Sequence, residues 1–248
     1  MVTMRNDLLE SYAACSWAKT QPSHLERRIK AWIERPAYLI QEELRPDLGK
    51  KLFKIRIDQR RGDMLVNAEV GAIINSLRSS LDLLASALAV RNGKKPSREC
   101  HFPIYRSRDE FIKASNVRKR EKWLSPRQIA IIELLKPYNG GDDELFALHH
   151  LDIARKHERL VRVEMNPYLF AVNQTLRAQG FEWAKPHPGL DDDAIIGWAN
   201  IDATNSDLRI ELEVTLNETG LLPTAPIVET LRRLYGMTDG IIQRFESD

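Results

Sequence analysis

The feature that most constrains this chain is the stretch from about Val66 to Val90, where Val70, Ile74, Leu77, Leu81, Leu84 and Leu88 recur at spacings of four and three. That period places them on one stripe of an α-helix, and its length predicts a central helix around which other elements pack. Gly93-Lys94-Lys95-Pro96 ends it. A chain of 248 residues with 43% apolar content can enclose such a helix within one core. A single domain over 1–248 is expected, with a helical core over about 4–160, a sheet-rich part over about 161–220 and a terminal helix over about 225–246.

Upstream, Leu8, Leu9, Tyr12 and Cys15 share a helical face, and Ser23 with Glu26 reads as a capping box that opens a second helix through Leu25, Ile29, Trp32 and Ile33. Pro36 lacks a backbone donor and predicts a kink or restart there. Phe53, Ile55 and Ile57 alternate with charged residues, the period of a half-buried strand. Downstream, Phe111 and Trp123 bracket a charged helix, and Ser125-Pro126 supplies an N-cap and N1 proline for a helix ending at Pro137 and Gly140-Gly141. Asp142, Asp143 and Glu144 complement the positive end of a helix over Leu145–Leu160.

Beyond that point the period changes. Val161 to Val163, Ala194 to Ala199 and Ile210 to Leu216 read as strands, and with the early strand they predict an antiparallel sheet packed on the helices. Residues Asn166 to Asp193 read as mixed. Pro226 opens a terminal helix that Gly236 and Gly240 should interrupt. The fold class is therefore α+β, a helical bundle of five to seven helices with a small antiparallel sheet.

Charge excludes several partner classes. Lys and Arg total 37 against 35 Asp and Glu, so no global field favours nucleic acid, a membrane or an acidic substrate, and any functional charge is local. Cys15 and Cys100 lack CxxC spacing, and no charged segment followed by an apolar one marks export, so a reducing cytoplasm is expected and a membrane is not. The chain carries no P-loop, dinucleotide fingerprint, nucleophile elbow, zincin helix or kinase signature.

Three local groups can carry chemistry. Arg78 and Asp82, four apart beside the Leu77/Leu81 seam, should touch, either as an ion pair that docks a neighbouring helix or as an anion-binding arginine held by its carboxylate. On the helix from Leu145, a rotation of about 100° per residue puts His149, Asp152, Lys156 and Arg159 in one sector. There Asp152 can orient His149 as a general base while Lys156 and Arg159 neutralise a phosphate, or the stripe is a solvated face with an Asp152–Lys156 pair. His150 and His157, seven apart, offer two metal ligands without an evident third, so neither metal nor cofactor is expected. Arg118, Lys119, Arg120 and Lys122, with Lys113 and Arg127 nearby and Trp123 for stacking, form either a nucleic-acid patch or a solvated helix face.

Taken in order, Ile74-Asn75-Ser76-Leu77-Arg78-Ser79-Ser80-Leu81-Asp82, His101-Phe102-Pro103-Ile104, Lys136-Pro137-Tyr138 and Leu148-His149-His150-Leu151-Asp152 running to Lys156-His157 resemble a set of bacterial proteins with a HEPN-type helical bundle. The resemblance covers roughly residues 66 to 163. It implies metal-independent ribonucleases or non-catalytic partners of defence and toxin–antitoxin systems, RNA or a protein as partner, and a homodimer through the central helices. Active members of that group carry an arginine followed four to six residues later by a histidine. No arginine here precedes a histidine at that distance, and Leu83 follows Asp82. The site implied gathers Arg78, Asp82, His149, Asp152, Lys156 and His157, with Arg78 and His157 meeting from two helices. The alternative is a non-catalytic interaction module whose charges lock helices together.

Overall fold

The computed structural model describes residues 5–33, 38–57, 64–95, 100–117, 122–184, 194–203, 208–217, 220, 222 and 224–247. The fold is α+β. The chain forms two compact units, one of residues 1–26, 65–162 and 216–248, the other of residues 27–64 and 163–215.

In the first unit the central helix, α2, spans Met64–Arg91 and buries Val66, Val70, Ile73, Ile74, Leu77, Leu81, Leu84 and Leu88, the stripe that the spacing predicts. Among the described residues α2 alone is long and apolar enough to cross a membrane, and more than half of that stretch is buried within the protein. Its last turn closes on Gly93 at φ 69°, where Lys94 N–H donates back to the Ala89 carbonyl. The same unit holds α3 (Arg108–Val117), α4 (Pro126–Leu135), α5 (Asp143–His157) and the C-terminal helix α7 (Ile227–Gln243), with α5 against α7, while α6 (Gln174–Ala178) belongs to the second unit. The Ser125 cap is present, and Gln128 returns a side-chain bond to the Ser125 N–H to complete a capping box.

The N-terminal helix α1 runs unbroken over Leu9–Ile33, correcting the expectation of a second helix opening at Ser23. Pro22 removes the bond to the Ala18 carbonyl, yet its ring lies on the buried stripe of Cys15, Ala18 and Leu25. Continuous packing of that stripe outweighs one missing hydrogen bond. Pro36 lies outside the described residues. Gly236 and Gly240 likewise fail to interrupt α7, because the buried residues Leu231, Leu234, Ile241 and Ile242 hold its other face. Helix α5 ends at His157, three residues short of the predicted end.

The second unit holds a four-stranded antiparallel sheet in the order β1 (Tyr38–Arg45), β2 (Lys50–Ile57), β5 (Ala194–Asn200), β4 (Glu182–Trp183). Strand β3 (Val163–Val172) pairs with β6 (Leu208–Leu216) in a separate two-stranded sheet. The single sheet expected from the sequence is thus two, because β5 is claimed on both edges by β2 and β4. The mixed segment after Asn166 resolves, up to Ala184, into the rest of β3, then α6 and β4.

The turn between α4 and α5 prepares the site. Lys136 adopts a left-handed conformation, and its carbonyl accepts from Tyr138 N–H at 2.7 Å and Asp142 N–H at 2.9 Å. Asp142 then caps α5 through Leu145 N–H at 2.9 Å, while Pro137 accepts from Tyr105 N–H at 2.9 Å. One turn therefore anchors both α5 and the segment that follows α2.

Candidate functional site

In the first unit, α2, α5 and residues 101–104 enclose a cleft of about 570 Å³. It is lined by Arg78 and Asp82 from α2, His149, Asp152, Lys156 and His157 from α5, and His101 and Phe102 from the connecting segment. All six residues gathered from the sequence as a site meet there. Helical geometry explains it: Asn75, Arg78 and Asp82 lie three and four apart on α2, as His149, Asp152 and Lys156 do on α5.

Arg78 organises the floor. It is only 4% exposed and donates from Nη1 to Asp82 Oδ1 at 2.5 Å, from Nη2 to the Phe102 carbonyl at 3.2 Å and from Nε to His149 Nδ1 at 3.2 Å. Asp82 Oδ1 also accepts from Phe102 N–H at 2.9 Å, and its Oδ2 stands 3.4 Å from His101 Nδ1. The pair thereby clamps the backbone at Phe102 against α2.

Asp152, 2% exposed, forms a second group. Its Oδ1 accepts from Asn75 Nδ2 at 3.0 Å, and its Oδ2 pairs with Lys156 Nζ at 2.6 Å. The expected i,i+4 pair exists, but the hydrogen bond that orients His149 comes from Arg78 instead of Asp152. A guanidinium can only donate, so His149 Nδ1 holds its lone pair and Nε2 carries the proton. Burial first, and the Arg78 charge second, push the His149 pKa down to about 4, against the opposing pull of Asp82 and Asp152. At neutral pH His149 is a donor into the cleft, not a base.

This has a measurable consequence. Between pH 6.5 and about 4 the unfolded chain binds a proton at His149 that the folded chain does not, so stability is full above the unfolded value and declines as pH falls. Urea unfolding at pH 7 and at pH 4.5 should show a loss on the order of 2 kcal/mol, allowing for solvent screening, that His149→Gln abolishes. An equal acid loss in both proteins would mean that the imidazole protonates freely.

The two cations of the cleft, Arg78 and Lys156, are matched by two carboxylates, Asp82 and Asp152. Lys156 and His157 reach solvent at its rim. His150 points elsewhere and stacks on Phe146 at 6.1 Å. Among the described residues no group of three or more His, Cys, Asp or Glu is placed to hold a metal ion. Arg159 and the exposed Lys122 are not part of the cleft lining, and Arg118, Lys119 and Arg120 lie outside the described residues. Site reasoning from sequence missed His101 among the polar lining residues, and Phe102, Pro103, Ile104 and Ile153 among the apolar ones; the signal for His101 was its place in the His101-Phe102-Pro103-Ile104 segment. Comparison with protein-family models, curated proteins and solved structures finds no match.

Proposed function

We propose that this is a HEPN-like, RNA-directed protein whose cleft receives a phosphodiester and cleaves it without a metal, by attack of the adjacent 2′-hydroxyl. The observation that carries the reading is the convergence of Arg78, Asp82, His149, Asp152, Lys156 and His157 on one cleft. Lys156, His157 and the Nε2–H of His149 are cationic or donor groups suited to phosphate oxygens. Arg78, committed to three internal acceptors, acts as a positioning residue in this reading. A homodimer and a cytoplasmic location belong to the same proposal.

A second reading, a non-catalytic interaction module, draws on the 4% exposure of Arg78 and the 2% exposure of Asp152. A charge so buried, held by a partner at the cleft surface, commonly fixes helix geometry. The two readings separate in one experiment, using the purified protein, Lys156→Ala and His157→Ala with mixed structured and single-stranded RNA in EDTA. The ribonuclease reading expects EDTA-resistant cleavage leaving 2′,3′-cyclic phosphate ends, with a loss of about 100-fold or more in His157→Ala. Salt-sensitive RNA binding without cleavage sinks catalysis; neither binding nor cleavage leaves the interaction module.

A further inference from the structure

We propose that His101 is the proton acceptor of this cleft, paired with Asp82 as its positioning residue and faced by His149 as a neutral hydrogen-bond donor. The inference rests on the ribonuclease reading and adds to it a catalytic residue and two tautomers.

The Arg78–Asp82 pair sets both rings. Asp82 spends Oδ1 on Arg78 Nη1 and Phe102 N–H, which turns Oδ2 toward His101 Nδ1 at 3.4 Å. The approach is within ion-pair reach and is not yet a hydrogen bond; a carboxylate only accepts, so the bond it is placed to make holds the proton of a neutral His101 on Nδ1 and leaves the lone pair on Nε2. Across the same pair, Arg78 Nε donates to His149 Nδ1, which leaves the proton on Nε2. One ion pair thus presents an acceptor on one side of the cleft and a donor on the other. The His101 side chain is 64% exposed, open to a substrate, while its backbone is fixed by Phe102 on α2. Such an oriented imidazole–carboxylate pair is the arrangement general-base catalysis requires, and the contact can shorten when substrate is bound.

The step balances without any further reactant. His101 Nε2 takes the 2′-hydroxyl proton as O2′ bonds to phosphorus, and the P–O5′ bond breaks with its electron pair on O5′. That oxygen takes a proton from the imidazolium form of His157, which lines the same cleft. A non-bridging oxygen accepts from His149 Nε2–H and from Lys156. The products are a 2′,3′-cyclic phosphate and a 5′-hydroxyl, with His101 protonated and His157 neutral.

Two measurements test this. Nitrogen NMR of the imidazole rings in the free protein at about pH 7 should show His101 as the Nδ1–H tautomer and His149 as the Nε2–H tautomer. RNA cleavage in EDTA from about pH 5 to about pH 9 should fall by about 100-fold or more in His101→Gln, lose its acidic limb and recover in part with added imidazole. Circular dichroism checks that this exposed substitution leaves the fold intact. An Nε2–H tautomer at His101 overturns the proposal whatever RNA does. Cleavage by wild type and His101→Gln at equal rates overturns the base and keeps the ribonuclease. No cleavage by wild type with His101 in the Nδ1–H form removes the ribonuclease reading, and the base role with it.

Discussion

Arg78→Ala is expected to cost about 3–5 kcal/mol of stability, the range seen when one partner of a buried, hydrogen-bonded ion pair is removed. The reason lies in what stays behind. Asp82, the Phe102 carbonyl and His149 Nδ1 each lose a donor, and the space that the guanidinium filled, only 4% exposed, is left as a gap in the floor. Arg78→Lys should recover only part of the loss, since an ammonium lacks the planar fork that reaches three acceptors in different directions. Asp82→Asn should cost less, because an amide oxygen can still accept from Arg78 or Phe102. The measurement is the urea midpoint of each variant at unchanged slope, with the Arg78/Asp82 double mutant closing a cycle. A loss below about 1 kcal/mol for Arg78→Ala would show that the floor of the cleft relaxes into solvent, contrary to the packing described above.

The size of that effect bears on function. An inactive Arg78→Ala protein cannot distinguish a lost catalytic group from a lost fold, and Lys156→Ala shares part of that ambiguity because it strips the buried Asp152 of its ion-pair partner, whereas His157 and His101 stand at the rim and can be removed with both ion pairs intact. This is why the cleavage tests rest on those residues and Arg78 is examined by stability.

The contrast between floor and rim also marks what was legible in the sequence. Period carried the floor: the Leu77/Leu81 seam placed Arg78 and Asp82 on one face of α2, and the spacing of His149, Asp152 and Lys156 placed them on one face of α5. That the two faces oppose each other depends on the turn at Lys136 to Asp142, whose hydrogen bonds run between backbone N–H and carbonyl groups that every residue but proline offers alike. His101 was illegible for the same reason, because its position follows from the bonds of Phe102 and Tyr105. Strand β1 escaped notice because it is an edge strand, with Gln41, Glu42 and Glu43 in series and Leu39 and Leu44 exposed, so no alternation survives. At Pro22, Gly236 and Gly240 local breaker signals were present and were overridden by buried stripes.

Gly141→Ala tests the joint on which both walls of the cleft depend, and should destabilise by about 2–4 kcal/mol. A Cβ at this position would stand 2.3 Å from the Lys136 carbonyl oxygen and 2.8 Å from Tyr138 Cε2. The oxygen has nowhere to go, since it already accepts from Tyr138 N–H and Asp142 N–H. Relieving the clash means breaking the Asp142 bond, which displaces the residue that caps α5 at Leu145. The neighbouring Gly140 supplies the control. It has φ 79° but nothing within 4 Å of an added Cβ, so Gly140→Ala meets only the left-handed backbone penalty of about 1–2 kcal/mol. Urea unfolding of the two variants should therefore rank Gly141→Ala as the more damaging. A reversed order would mean that steric contact with Lys136 does not set the start of α5. In the expected order, the clash at Gly141 reaches His149, Asp152 and Lys156 through α5 and the His101 segment through the Tyr105–Pro137 bond, so one methyl group disturbs the cleft without touching any residue that lines it.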